Sequence, residues 1–410
     1  MHEQALYMSL NVLSVWPFFV ILAALFALAG TRLFQLADGQ TLSDSTRVYT
    51  LDGLRAVLAF GVALSHAVRF RGTYLNLATN PSSSGSFYEY LGNLSVEMFF
   101  MITGYLFWSQ VIRNQGDLSW LKLYIGRVCR IGPVYLLAVT AVLVIVLART
   151  GLQLNEPATQ LLREAGRWLA LGIRGLGPIN GYENPTDIMR GVTWTLAYEW
   201  KFYLLLPVLA WLVRVTHLHL AFSVAGLTLS LLYAVSAGLN HGASYSIIAA
   251  LFFSGMVCAS VQRTQLPPYL RGSIGSAIAV LCVALAMTCF DDVYSAGAIL
   301  LIGLAFYLVS VGCTVWGVLT SRYARRLGNI SYGVYLLHGI IYTIIYSIAP
   351  VRAFAATSPL CFWIMTMVSV GLVTVVALAA HVLVERPGIN LGHRLAMRLV
   401  PASNAQASKG

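Results

Sequence analysis

The chain has 410 residues, of which 58% are hydrophobic and only 10% are charged. Soluble domains carry roughly 25% charged residues, so water is not the main solvent of this chain. Its net charge of +11 comes from short Lys and Arg clusters between apolar runs, a pattern that argues against an extended basic face and against nucleic acid as a partner.

Eleven apolar runs cover the sequence almost end to end. Backbone in hydrocarbon must satisfy its hydrogen bonds internally, so runs of this length predict membrane helices. The fold class is therefore all-α, a polytopic integral membrane helical bundle of about 11 transmembrane helices. We predict these helices near residues 12–30, 54–70, 92–112, 131–149, 194–214, 218–237, 244–262, 273–289, 295–317, 331–349 and 361–384.

The same pattern predicts three parts of the chain. Residues 1–48 form an N-terminal extra transmembrane helix and its linker, residues 49–390 form one membrane domain, and residues 391–410 form a cytoplasmic tail. The last ten residues, rich in Ala and Ser, are predicted to be disordered.

The distribution of basic residues predicts the orientation in the membrane. Of the 26 Lys and Arg, 17 fall in loops on one side of the predicted bundle and eight on the other. The side with 17 is therefore expected in the cytoplasm, with the N-terminus outside. The one long loop, 149–193, then faces outward, and it is either a functional loop or a plain linker.

Three ionisable residues are predicted to lie close to the outer ends of their helices. His66 lies about four residues from the outer end, and Glu97 and Glu199 lie about five, which places all three roughly 6–8 Å below the interface. Such groups are costly in a bilayer and are candidates for function. A His beside a carboxylate can remove a hydroxyl proton, so we expect one catalytic group. The alternative is that each residue is a polar packing group.

A second group, Arg55, Arg127, Arg130 and, deeper, His338, is predicted near the cytoplasmic face. Arg55 and His66 are 11 residues apart, which places them on one helix face about 16 Å apart, so one ligand could span them. Arg127 and Arg130 are spaced i, i+3 and could face one phosphate. The alternative for this pair is that it only anchors the topology. The six cysteines form no CxxC pair or metal-ligand spacing, so no metal site is predicted.

Several stretches within residues 50–390 resemble acyltransferase family 3 of membrane proteins. Five of them carry the family's motifs in the expected order: LDGLRAVLAFGVALSHA (51–67), VEMFFMITGYLF (96–107), GRVCRIGPVY (126–135), TWTLAYEWKFYLLLP (193–207) and LGNISYGVYLLH (327–338). Glu385-Arg386-Pro387 resembles the family's terminal Glu-x-Pro.

The resemblance implies that the chain transfers an acyl group, commonly acetyl from acetyl-CoA, to sugars of surface polysaccharides. It implies that His66 acts as a general base or as a brief acyl carrier, oriented by Glu97 or Glu199. The residues that it implies for the acyl-CoA donor are Arg55, Arg127, Arg130, Tyr135 and His338.

The resemblance also implies the partners and the location. The protein is expected as a multi-pass protein of the cell inner (cytoplasmic) membrane, in contact with membrane lipid, with acyl-CoA on the cytoplasmic side and a glycan acceptor on the outer side. An O-antigen or exopolysaccharide sugar is the first expectation for the acceptor. A lipid-linked intermediate, peptidoglycan and a macrolide-type metabolite remain open.

Three positions depart from the family's pattern. Thr103 replaces the usual Ser and keeps its hydroxyl, whereas Trp200 and Lys201 stand where a second acid and a Gln are frequent. Acceptor contacts at the last two positions are therefore in doubt. The alternative function is a secondary transporter or flippase of a glycan or lipid-linked intermediate. Transporters often contain two halves of similar pattern, which this sequence lacks.

Overall fold

A computed structural model describes residues 11–38, 48–75, 87–173, 175–216, 218–239, 244–261 and 268–399. Within these ranges the regular elements are helices, apart from one isolated bridge between Ile179 and Tyr182. This confirms the all-α prediction. Residues 400–410, where the disordered end of the tail was predicted, lie outside the described residues.

Seventeen α-helices occur in the described ranges, joined in places by short 3₁₀ and π segments. In chain order they are α1 (Trp16–Ala29), α2 (Tyr49–Arg69), α3 (Arg71–Leu75), α4 (Phe87–Arg113), α5 (Trp120–Arg149), α6 (Ala158–Leu169), α7 (Trp194–Thr216), α8 (His219–Ser236), α9 (Tyr245–Val261), α10 (Pro268–Arg271), α11 (Ser273–Cys289), α12 (Ala296–Ser310), α13 (Arg322–Asn329), α14 (Ser331–Ser347), α15 (Ala349–Thr357), α16 (Pro359–Ala380) and α17 (Arg386–Leu399).

Each of the eleven predicted apolar runs coincides with a helix, but the count of about 11 membrane spans is not confirmed. Four helices in the described ranges are long and apolar enough to cross a membrane, or five if the bent pair of α13 and α14 counts as one span. Several of the others are short: α1 has 14 residues and α12 has 15. At 1.5 Å per residue such helices reach about 21–23 Å, less than the roughly 30 Å of a hydrocarbon core.

Helices α2 and α4 pack closely, and the contacts of two glycines show which residues of the two helices lie opposite each other. A Cβ at Gly92 would lie 2.3 Å from the Ser65 hydroxyl, and a Cβ at Gly61 would lie 2.6 Å from the Ser95 hydroxyl. A side chain at either glycine would collide with the facing helix, so the small residues allow this approach. Residue numbers rise along α2 as they fall along α4, so the two helices are antiparallel.

The N-terminal helix α1 is part of the bundle core. Phe18, Ile21 and Leu25 of α1 share one buried apolar cluster with Leu327 of α13 and Val370 of α16. Its apolar side chains therefore pack against helices that lie about 300 residues further along the chain.

A bidentate ion pair joins the end of this N-terminal segment to α13. Arg326 donates from Nε and Nη2 to the two Asp38 carboxylate oxygens at 2.7 and 2.6 Å, and from Nη1 to the Ala29 carbonyl at 2.9 Å. The hydrogen bond from Arg326 holds the pKa of the Asp38 carboxyl below its ordinary value. These bonds fix α13, which is bent by 63° from α14.

A buried hydrogen-bond network holds the described part of the long loop after α5. Asn180 is fully buried and donates from Nδ2 to the Thr150 hydroxyl and the Gln153 carbonyl, at 2.9 and 2.8 Å. Its backbone N–H donates to Glu164 in α6 at 3.0 Å. Because a buried amide is stable only when its hydrogen bonds are made, this network holds the loop in one conformation.

The C-terminal helices form one rod, interrupted by a π segment at His381–Glu385. The Arg386 N–H bonds to the His381 carbonyl, an i→i−5 bond, immediately before Pro387. A proline ring clashes with the carbonyl four residues before it, and the wider π turn relieves this clash. Helix α17 then packs on α5, where a Cβ at Gly392 would lie 2.7 Å from the Cys129 Cβ.

Candidate active site

The structure pairs His66 of α2 with His338 of α14. His66 Nδ1 lies 2.8 Å from His338 Nε2, and the ring centroids are 5.1 Å apart. His338 is fully buried and His66 is half-buried. The sequence placed His338 with the arginines near the cytoplasmic face, and the structure instead places it against His66, beyond the cavity that the arginines line.

The hydrogen bonds of the pair determine its tautomers. His338 Nδ1 lies 3.0 Å from the Val334 carbonyl, which only accepts hydrogen bonds, so this nitrogen carries a proton. Neutral His338 then accepts at Nε2, and His66 must donate from Nδ1. The lone pair of neutral His66 is therefore on Nε2, where it can receive a proton.

Glu97 does not contact His66, which corrects the predicted shared site. The register of α2 and α4 places Glu97 opposite residue 59 or 60, six or seven residues from His66, or roughly 9–10 Å along the helix. Glu97 is fully buried, and neither carboxyl oxygen has a hydrogen-bond partner within the described residues. Asp292 is near enough to Glu97 to interact with it electrostatically. The prediction failed because α4 begins at Phe87, five residues earlier than expected.

Glu199 lies with the arginines, not with His66. Its Oε2 accepts a hydrogen bond of 2.6 Å from the Tyr203 hydroxyl, one turn further along α7. The carboxylate interacts electrostatically with Arg127, Arg55 and Arg130. No ion pair joins His66 to a carboxylate in the part of the chain that the structure describes.

The three predicted arginines converge on one cavity of about 90 Å³. Arg55 comes from α2 and Arg127 and Arg130 come from α5, and Glu199 is the only acidic residue among the described residues of the lining. Three guanidinium groups thus face one carboxylate. Arg55 Nε is buried without a hydrogen-bond partner within the described residues, so a donor remains for a ligand.

Aromatic rings hold the guanidinium of Arg127. Its Cζ lies 4.5 Å from the Phe107 ring centroid and 5.9 Å from that of Tyr203. Both are favourable cation–π distances. The rings position the group without neutralising its charge, so it remains attractive to an anion.

Two larger cavities adjoin the arginine cavity at the end of the bundle away from His66. One, of about 880 Å³, is lined by Arg55, Arg130, Arg113 and Glu385, and the other, of about 500 Å³, is lined by Arg127, Arg130 and Lys122. Arg130 lines all three cavities, and its Nε lies 3.9 Å from Glu385. A long anionic ligand could therefore extend from the wide cavities into the arginine cavity.

Helix α14 connects the arginine cavity to the histidine pair. Ser331 and Tyr335 line the cavity, and His338 follows three residues after Tyr335. Residues spaced by three or four share a helix face, so one face of α14 extends from the arginine cavity to His338. In the same way, one face of α2 extends from Arg55 to His66.

Other predicted positions have structural contacts. Tyr135 is fully buried and its hydroxyl donates to the Trp168 carbonyl at 2.8 Å, so it fastens α6 to α5 and does not line the arginine cavity. Thr103 lines that cavity. Trp200 donates to the Leu171 carbonyl, and exposed Lys201 donates to the Tyr245 hydroxyl.

Several residues of this region were missed by the sequence reasoning. Arg113 and Glu385 line the wide cavity, and Glu385 also bonds His381 at 2.8 Å. Arg190 interacts electrostatically with both histidines. Its backbone is left-handed, with φ of +55°, and that strain is a property of tertiary structure, so no local sequence signal reveals it. For Glu385 the signal was the Glu-x-Pro motif itself.

The comparisons with known proteins show the family of this chain. The profile of the acyltransferase domain of acyltransferase family 3 matches residues 48–382. No curated protein and no solved structure matches the chain significantly. Within the described ranges no group of three or more His, Cys, Asp or Glu is placed to hold a metal ion. The profile covers most of the chain and all five motif stretches, so the chain belongs to acyltransferase family 3 and is a membrane acyltransferase.

Proposed function

We propose that this protein transfers an acyl group, commonly acetyl, from acyl-CoA to a sugar hydroxyl of a surface polysaccharide or lipid-linked glycan. The observation that carries the proposal is the arrangement along α2. Arg55 lies in a basic cavity and His66 lies in a histidine pair, 11 residues or about 16 Å further along the same helix.

The arginine cavity suits the phosphates of the donor. Arg55, Arg127 and Arg130 supply fixed guanidinium groups from two helices, and arginine binds phosphate through paired N–H groups. The adjoining wide cavities offer room for the nucleotide part of CoA. The pantetheine arm would then follow the faces of α2 and α14 towards the histidine pair.

His66 is the proposed general base. Its Nε2 takes the proton of the acceptor hydroxyl while the oxygen attacks the thioester carbonyl. The carbon–sulfur bond then breaks, and the departing CoA thiolate takes the proton from His66. His338 keeps the His66 proton on Nδ1 and accepts a hydrogen bond from the cation that forms.

This assignment changes the roles expected from sequence. His338 takes the orienting role expected of Glu97 or Glu199, because it is the residue that contacts His66. Glu199 is proposed instead to orient the arginines, with which it shares a cavity. The transient acyl-carrier role of His66 remains an alternative, since Nε2 is also the nucleophilic nitrogen.

The location follows from the positive-inside reasoning. The Arg55 end of α2 would face the cytoplasm, where acyl-CoA is available, and the His66 end would face outward, where the glycan would be presented. We propose the inner (cytoplasmic) membrane of the cell as the location.

The test is transfer of radiolabelled acetyl from acetyl-CoA by the purified protein in proteoliposomes. The acceptor is identified by mass spectrometry, which compares the surface glycans of cells with and without the gene. Acetyl transfer that requires His66 and Arg127 supports the proposal. Glycan transport across the bilayer without any acetyl transfer would support a flippase and overturn it.

A further inference from the structure

A fourth cavity lies at the His66 end of the bundle, and the mechanism above does not use it. It measures about 430 Å³ and lies between the loop after α5, α3 and the ends of α14 and α15. Its charged and aromatic lining includes Tyr74, Arg149, Tyr182, Asp187, Arg190 and Arg352.

Among the described residues, the lining carries three arginines and one acidic residue, Asp187. Arg149 donates to the Tyr182 hydroxyl at 2.6 Å, and Arg352 donates to the Tyr346 and Ser347 carbonyls, both at 2.8 Å. None of the three arginines forms an ion pair in the part of the chain that the structure describes. They are held in place by neutral groups and keep their charge.

Arg190 is the most constrained of the three. Its Cζ lies 4.1 Å from the Tyr74 ring centroid and 4.9 Å from that of Phe70. Its Nε is buried without a hydrogen-bond partner within the described residues, and a left-handed backbone at a residue other than glycine costs free energy. The free-energy cost of this backbone conformation, together with an Nε–H group that has no hydrogen-bond acceptor among the described residues, indicates that Arg190 binds a ligand.

The cavity is next to the proposed reaction centre. The Phe70 ring that faces Arg190 is also 5.5 Å from the His66 ring. A molecule bound in the cavity would have to extend past Phe70 to bring a hydroxyl group to His66, which does not itself line the cavity. The tyrosine rings of the lining contact one another and the arginines: Tyr74 stacks on Tyr346 with ring centroids 4.8 Å apart, and the Arg149 Cζ lies 5.7 Å from the Tyr182 ring centroid.

We propose that this cavity binds an anionic group of the acceptor, a carboxylate or a phosphate, and so selects acidic or phosphate-bearing glycans. This inference rests on the proposed function and adds the substrate class to it. The two sources of the anion are a uronic acid residue of the glycan and the diphosphate of a lipid carrier. Both present oxyanions that guanidinium groups bind through charge-assisted hydrogen bonds.

The test measures binding, with acyl transfer as a separate readout. Glucuronate, inorganic pyrophosphate and neutral glucose are titrated into the full-length protein in nanodiscs, with coenzyme A at saturation so that the donor cavity is filled. We expect at least one anion to bind more tightly than glucose, and added salt to weaken it. Arg190→Gln and Arg352→Gln should each raise the Kd of that anion by about tenfold or more, since each removes a charged hydrogen bond.

The matched control is Arg163→Gln, which removes the same charge from an exposed position of α6 outside the cavity. Size-exclusion profiles show whether each variant is folded. If Arg190→Gln does not fold, the anion Kd of Arg352→Gln alone is compared with that of the control. Equal effects of Arg163→Gln and Arg352→Gln, or binding of neither anion above glucose, would overturn the inference and leave the proposed function intact. Arginine-dependent anion binding without any acetyl transfer would overturn the proposed function, and with it the assignment of the anion to an acceptor.

Discussion

Replacing His338 tests whether it acts through His66. His338→Leu keeps similar volume but removes the nitrogen that accepts from His66 Nδ1, at 2.8 Å. Hydrogen bonds to charged groups contribute about 1.5–3 kcal/mol, and the His66 ring is charged only while it holds the acceptor's proton. We therefore expect kcat to fall about 10- to 150-fold. The KM for acyl-CoA should stay unchanged, because His338 does not line the arginine cavity.

The assay is acetyl transfer by proteoliposomes, analysed as a double-mutant cycle. His66→Ala combined with His338→Leu should be no slower than His66→Ala alone, since His338 has no role without His66. His338→Gln should recover part of the rate, because its amide oxygen can accept the same hydrogen bond.

The control for this cycle is Tyr342→Phe. The Tyr342 ring lies 5.8 Å from the His338 ring, and its hydroxyl donates to the Ala63 carbonyl. This variant loses a buried hydrogen bond near the pair without touching His66, so kcat should be close to that of the wild type. A His338→Leu enzyme with less than a twofold change in kcat, or independent and additive losses in the double variant, would refute the role of His338.

Three further predictions follow from the same structure. His66→Ala should lower acetyl transfer by about 10² or more while the protein remains folded; activity above about a tenth of wild type would contradict a chemical role. Arg127→Lys and Arg130→Lys should each raise the KM for acyl-CoA about tenfold, since lysine loses the paired N–H geometry, and normal donor binding with inverted topology would make them charge anchors only. Asp38→Asn should lower the Tm at pH 7, since it breaks the pair with Arg326.

The pH dependence of the last prediction has a definite sign. The pKa of Asp38 is held below its ordinary value in the folded protein, so the carboxylate stabilises the fold above the unfolded pKa of about 4. That contribution is lost as the pH falls through the folded pKa. The Tm difference between wild type and Asp38→Asn should therefore stay constant from pH 7 to about 4 and narrow as the pH is lowered below about 4. A difference that already narrows between about pH 7 and 5, or that does not narrow below about pH 4, would contradict the role of the ion pair.

The sequence alone predicted the helices and the grouping of the arginines. Apolar runs far longer than a strand admit only helices in a membrane protein, and the i, i+3 spacing of Arg127 and Arg130 predicted that both face one side of their helix, where the structure has a cavity. Arg55 joined them in the structure, as the family resemblance implied. Such features depend on local periodicity and on motifs, and both can be recognised within one segment of the sequence.

Only the tertiary structure decided which residue contacts His66. The partner of His66 depends on the positions of α2, α4 and α14 relative to one another along their axes. A predicted helix boundary that is wrong by two to four residues shifts the expected position of a side chain by roughly 3–6 Å. The contacts of Gly61 with Ser95 and of Gly92 with Ser65 fix that position. In this register Glu97 lies away from His66, whereas the packing of α14 places His338 in contact with His66. The partner of His66 is thus set by packing between helices far apart in sequence, which hydropathy along the chain does not encode.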